Sequence, residues 1–289
     1  MKDFDALFNE YDFKFTDESV QNSVKEILAK GFDKNNNKDV YRKCLSFIDL
    51  TSLNANDTEE KIEKMMQKVN DFPFDTQNVP AVCVFPALVP VARKTLNDDK
   101  KIAAVSACFP TSQTFIEAKI AEVALTVLAG ADEIDVVISL GKFLSGNYAE
   151  VFEELEEIKS ACRSAHLKVI IESGSMPSCA DIKKASIISI AAGADFIKTS
   201  TGKTEPAATL DAAFVMCQTI KEFYQKSGVK IGFKPAGGIV TTKDAVEFYT
   251  VVEHILGEEW LNSDLFRLGA SRLANNLLTS IYDKEVKYY

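Results

Sequence analysis

Histidine is scarce in this chain of 289 residues: His166 and His254 are the only two, and they lie far apart. A zinc site needs several His, Cys or acidic ligands, and a Ser-His or Cys-His nucleophile needs an adjacent base, so both chemistries lack their usual supply. Carboxylate-bound magnesium alone is left open on this count. The six cysteines, Cys44, Cys83, Cys108, Cys162, Cys179 and Cys217, include no C-x-x-C pair and sit mostly inside apolar runs. They read as reduced core thiols of a cytoplasmic protein. No apolar run approaches the roughly 20 residues that span a bilayer, and the N-terminal MKDFDALFNEYDFKF is acidic without an apolar signal core. A soluble, unsecreted protein with no membrane partner is expected. Positive charge is short as well: 33 Lys and Arg stand against 42 Asp and Glu, a formal charge of −9. That balance disfavours nucleic acid and anionic lipid as partners, so any anionic ligand must be held by a local site.

What is present is ordinary globular material, 46% hydrophobic and 26% charged, arranged with a rhythm. Eight β-rich runs recur: SFIDL near 48, AVCVF at 81–85, KIAAVSACF at 101–109, EIDVVIS at 133–139, LKVIIES at 167–173, DFIKTS at 195–200, VKIGFK at 229–234 and LFRLGAS at 265–271. Segments of helical period lie between them. Val151, Leu155, Ile158 and Cys162 follow the fourth run behind Asn147 as a cap; Leu210, Phe214 and Cys217 follow the sixth until Gly228 stops them. Asp57 with Glu60 resembles a capping box after the first run. LAGADEID at 128–135 and AAGADFIK at 191–198 end two helices alike, with Gly130 and Gly193 suited to left-handed helix ends. Eight strand-helix units in about 245 residues fit a single closed (β/α)8 barrel of the TIM type better than an open sheet. Residues 1–44 are expected to form a short helical extension, with a polar break at GFDKNNNKD, and residues 45–289 the barrel.

Alternation along strands assigns faces. Apolar residues of one parity, such as Ile48 and Leu50 or Ile134 and Val136, satisfy the helix layer, which leaves Asp49, Thr51, Asp135, Lys198 and Lys234 toward the interior. Neighbouring strands are about 4.8 Å apart, so lysines ending the sixth and seventh strands approach one another. One reading of these buried charges is a structural ion-pair network; the other is a lysine nucleophile. A free lysine, with pKa near 10.4, is an ammonium at neutrality and cannot attack a carbonyl, whereas burial and a second ammonium both favour the neutral amine. Asp135 is placed to relay protons. Glycine turns end the last three strands, at Gly202-Lys203, Gly237-Gly238 and Gly269-Ala270-Ser271. Backbone N–H groups in such turns cradle phosphate, which implies a phosphorylated aldehyde or sugar.

At these residues the chain resembles the deoxyribose-phosphate aldolase family of class I, Schiff-base aldolases. The resemblance rests on IDLTSLN at 48–54, VCVFP at 82–86, GADEIDVVISLG at 130–141, KVIIESG at 168–174, GADFIKTSTGK at 193–203, GFKPAGGI at 232–239 and LGAS at 268–271. It implies reversible cleavage of 2-deoxy-D-ribose 5-phosphate to acetaldehyde and D-glyceraldehyde 3-phosphate, without cofactor or metal, and a homo-oligomer. Lys198 corresponds to the Schiff-base lysine, Lys234 to the lysine that perturbs it and Asp135 to the proton relay. Asp49 and Thr51 correspond to the substrate-hydroxyl region, and Cys83 to the aldehyde pocket. Thr199 and Gly202, in the same motif as Lys198, are expected to bind substrate, and Lys203, Gly237, Gly238, Gly269 and Ser271 correspond to the phosphate contacts.

In some members a mobile tail ends in a tyrosine that aids proton transfer; here the tail is residues 283–289 and the tyrosine Tyr289, with an ordinary frayed end as the rival reading. The family often has arginine where this chain has Val240, and serine or glycine where it has Arg272. Arg272 is therefore expected to supply the missing cation, unless it points to solvent. Two other functions remain open at this stage, another class I sugar-phosphate aldolase and a non-catalytic barrel that binds phosphorylated metabolites.

Overall fold

In the computed structural model, which describes residues 3–289, each of the eight β-rich runs overlaps one strand. The alternating part of the chain is β1 (Ile48–Thr51), α4 (Glu59–Asn70), β2 (Ala81–Val84), α5 (Val89–Thr95), β3 (Lys101–Ser106), α6 (Ile116–Leu128), β4 (Glu133–Val137), α7 (Leu140–Leu144) and α8 (Tyr148–Cys162). It continues with β5 (His166–Ile170), α9 (Cys179–Ala191), β6 (Phe196–Lys198), α10 (Leu210–Ser227), β7 (Gly232–Lys234), α11 (Thr242–Leu256), β8 (Leu268–Ala270) and α12 (Leu273–Tyr282). Before it come α1 (Phe4–Phe8), α2 (Asp17–Asn35) and α3 (Lys38–Leu45).

All strand pairs are parallel, in the order β7-β6-β5-β4-β3-β2-β1-β8. Parallel bridges from Phe233 to Phe266 and from Ala236 to Gly269 join β7 to β8 and close the ring. A (β/α)8 barrel follows, with β1 preceded by helices. The helix-facing parity is apolar and buried, as in Ile48 and Leu50 of β1 and Ile134 and Val136 of β4. The matching helix stripe of α8, Val151, Leu155, Ile158 and Cys162, is buried against it. Each such aliphatic side chain contributes about 1.5–3 kcal/mol on removal from water, so it is the helix layer that holds the barrel closed.

Local chemistry places the ends. Gly228 terminates α10 with φ of 70°, and Gly130 and Gly193 also have positive φ. Asn147 precedes α8 but its side chain makes no capping bond. The capping box expected at Asp57 lies elsewhere: Thr58 is the cap of α4, accepting from Lys61 N, while Asp57 takes Ser52 Oγ and Asn54 N. The polar break is narrower than its composition implied. The helix α2 runs to Asn35 because Asn35 is buried and donates to Thr250 Oγ1 and Glu253, and Asn37 caps α3. The α1 residues Phe4 and Phe8 pack on Tyr148 and Phe152 of α8. No described helix is long and apolar enough to cross a membrane.

Candidate active site

Strand register brings the two lysines together: Lys198 and Lys234 are direct partners between β6 and β7. Both amines lie 2.7 Å from the same oxygen, Oδ2 of Asp135 on β4. Lys234 also lies 2.5 Å from Asp49 Oδ2 on β1. All four side chains are buried. Beneath them is a set of charges that sequence reasoning did not single out. Lys168 of β5 pairs with Glu133 and lies 3.5 Å from Asp49 and 3.4 Å from Asp135. Arg267 bonds Asp49 Oδ1 at 2.5 Å and Glu133 Oε1 at 2.9 Å. The signal for them was present: Glu133 shares its parity with Asp135, and Arg267 with Gly269.

The lysines are electrostatically unlike. Burial disfavours the Lys198 ammonium, Asp135 opposes that effect and Lys234 reinforces it, and the amine ends below the ordinary lysine value. For Lys234 burial acts in the same direction, but Asp135 and Asp49 outweigh it and hold the ammonium above the ordinary value. Burial would raise Asp135; Lys198, Lys234 and Lys168 together hold its carboxyl well below the usual range. The 2.7 Å contact of Lys198 fits either an ammonium or a neutral amine donating to a carboxylate. Asp135 and Asp49 hold the Lys234 ammonium in place, so Lys198 is the lysine of the two that gives up its proton more readily.

A cavity of about 330 Å³ opens onto Lys198 at the C-terminal ends of β6, β7, β8 and β1, the end of such barrels that carries chemistry. The volume suits a small phosphorylated sugar. Thr51 lines it, with Gly202, Lys203, Gly237 and Gly238 from the sixth and seventh turns. Gly269, Ser271 and Arg272 line it from the eighth, directly before α12. Two of these turns touch: Gly237 has φ of 84°, and a Cβ there would stand 2.9 Å from Gly202 Cα and 2.7 Å from Ala207 Cβ. Only glycine allows that approach and that backbone. Lys203 Nζ is bonded to Leu53 O. Arg272 is exposed and makes no ion pair among the described residues, and Val240 lines the same cavity. Asn54, Thr201 and Glu205 also line it and were not foreseen.

Asp135 and Lys234 contact Lys198 without lining this cavity, and four further expected residues stand apart from it. Asp49 is fully buried beneath it, engaged by Lys234 and Arg267, so it acts on Lys234 rather than on a ligand hydroxyl. Thr199 follows Lys198 and so takes the opposite parity; its hydroxyl donates to Ala236 O and accepts from Ala236 N. Cys83 lies under the floor with Leu53, Ala103 and Val105, and burial pushes its thiol up to about 11. Tyr289 donates its hydroxyl to Asn78 and lines an adjoining cavity of about 630 Å³. The tail is held rather than free, because Val286 is buried, Tyr289 stacks on Phe72, and Tyr288 meets Phe72 and Phe74 edge-on.

Fold and site together define a (β/α)8 barrel equipped for carbonyl chemistry at a lysine. Residues 43–257 match the family described as DeoC/LacD family aldolase, and the chain belongs to that family. It is 40% identical to the deoxyribose-phosphate aldolase of Homo sapiens over 255 residues, 83% of this chain and 80% of the human protein. The solved structure named QR15, an aldolase, is similar with 30% identity and a TM-score of 0.68, over 83% of this chain and 98% of its own. A deoxyribose phosphate aldolase from Aeropyrum pernix, described as a unique tetramer, is similar with 25% identity and a TM-score of 0.67, over 89% of this chain and 97% of its own.

Proposed function

We propose that the protein cleaves 2-deoxy-D-ribose 5-phosphate reversibly to acetaldehyde and D-glyceraldehyde 3-phosphate. The observation that carries this reading is the sharing of one Asp135 oxygen by Lys198 and Lys234, with Lys198 opening onto a cavity sized for a small phosphorylated sugar. Lys198 adds to C1 of the open-chain aldehyde, and loss of water gives an iminium. The iminium draws the electrons of the C2–C3 bond as the C3 hydroxyl passes its proton through water to Asp135, releasing D-glyceraldehyde 3-phosphate and leaving an enamine. Asp135, through water, returns a proton to C2, and hydrolysis frees acetaldehyde and Lys198. The glycine turns and Arg272 hold the phosphate, with the arginine as the charge-assisted donor. Family membership and the human and Aeropyrum relatives support this choice among sugar-phosphate aldolases.

The reading extends to a cytoplasmic homo-oligomer. Six free cysteines, five of them buried, support the compartment. Exposed Phe115, Leu125 and Leu128, at the start of and along α6, support self-association.

Borohydride reduction in the presence of acetaldehyde tests the chemistry. A two-carbon adduct on Lys198 is expected; an active enzyme left unmodified at Lys198 rejects the Schiff base. Turnover with dihydroxyacetone phosphate but not acetaldehyde as donor would assign a different aldolase.

A further inference from the structure

The barrel interior holds more ionisable groups than the proposed chemistry uses. The charged side chains facing Lys198 or its partners are Asp49 from β1, Glu133 and Asp135 from β4, Lys168 from β5, Lys234 from β7 and Arg267 ahead of β8. From β2 there is the thiol of Cys83, and from β3 only Ala103 and Val105. Glu172, past the end of β5, is turned to Thr201 N and Oγ1.

With every lysine protonated, this buried group has four cations, Lys168, Lys198, Lys234 and Arg267, against three carboxylates. One surplus charge is costly where water is excluded, and loss of a single proton removes it. The contacts decide which proton goes. Arg267 is held by Asp49 and Glu133, Lys234 by Asp49 and Asp135, and Lys168 lies within ion-pair reach of all three carboxylates. Among the described residues Lys198 has only Asp135 as an ion-pair partner, and shares that oxygen with Lys234.

We infer that Arg267 is a positioning residue for the lysine chemistry: by occupying Asp49 and Glu133 it fixes the interior charge count so that Lys198 is the group that gives up its proton. This rests on Lys198 as the Schiff-base nucleophile. Arg267 does not line the cavity and touches no substrate. Replacing it by a neutral residue leaves three cations for three carboxylates, so protonated Lys198 no longer creates a surplus.

The test is the pH profile of kcat/KM for 2-deoxyribose 5-phosphate cleavage, whose acid limb reports the free enzyme. Arg267 is about two strand spacings from Lys198, roughly 10 Å, and at an effective dielectric near 20 the loss of its charge moves the limb upward by about one pH unit. Arg267→Met is expected to show that shift, Arg267→Lys to keep the wild-type limb, and Glu133→Gln/Arg267→Met, which restores the surplus of one, to return toward wild type. A wild-type limb in folded Arg267→Met, or equal shifts in the Met and Lys variants, overturns the inference. Should Arg267→Met not fold, Glu133→Gln alone carries the test with the opposite sign, a limb moved to lower pH, and no movement overturns it. Borohydride labelling of the wild type with acetaldehyde separates the two claims: an unlabelled Lys198 removes the nucleophile itself, whereas a labelled one with unmoved limbs removes only the role of Arg267.

Discussion

Replacing Lys234 by methionine removes the ammonium that shares Asp135 with Lys198 while keeping most of the side-chain volume. Each lysine nitrogen is 2.7 Å from the same oxygen, so the two are at most about 5 Å apart, and at an effective dielectric near 20 their repulsion is on the order of 3 kcal/mol. That corresponds to about two pH units. The sign follows from the depressed value of Lys198: the residue is a nucleophile above its folded-state value and is silenced by protonation as pH falls through it. In Lys234→Met the acid limb of kcat/KM therefore moves upward by about two units, activity at neutral pH falls by up to about 100-fold, and much of it returns as pH is raised. Breaking a buried ion pair also costs about 3–5 kcal/mol of stability, so thermal melting is followed in parallel. A folded variant that is slow at every pH, with its limb where the wild type has it, refutes the tuning argument.

Arg272→Ala is expected to raise KM for 2-deoxyribose 5-phosphate by about 10- to 100-fold, the range of a charge-assisted hydrogen bond, with little effect on unphosphorylated 2-deoxyribose; equal effects on both sugars would place Arg272 outside the phosphate site. Gly237→Ala is expected to destabilise by about 1–3 kcal/mol, since the new methyl meets Ala207 and Gly202 at a positive φ. Calorimetry checks this, and an unchanged melting temperature would show that the seventh turn can move.

The barrel and its central charges were legible because a parallel strand buried on both faces has one usual filling, aliphatic side chains, and a departure from it at fixed parity is conspicuous. Lys198, Lys234, Asp135 and Asp49 stood out against Ile, Val and Leu. Glu133 and Arg267 obey the same alternation, but each lies at or before the start of its strand, where charge also reads as ordinary solvent exposure. Lys168 sits two residues beyond the exposed His166 that opens β5 and is ambiguous for the same reason. The role of Asp49 depended on depth along the strand, which parity does not give: two residues separate a cavity wall, Thr51, from a fully buried pair. Thr199 shows the reverse error, since motif membership placed it beside the ligand although alternation turns it away. The position of Tyr289 was not legible at all, because it depends on aromatic packing against Phe72, some 217 residues earlier in the chain.

The account stands on Lys198 giving up its proton more readily than an ordinary lysine, beside a charged Lys234. Nuclear magnetic resonance titration of enzyme labelled at the lysine side-chain nitrogen, with Lys198 assigned by its loss in Lys198→Met, measures this directly. The account predicts that Lys198 titrates below the ordinary lysine value of about 10.4 while the Lys234 signal stays protonated through that range. A Lys198 signal that titrates at or above the ordinary value, or a Lys234 signal that loses its proton first, would contradict it.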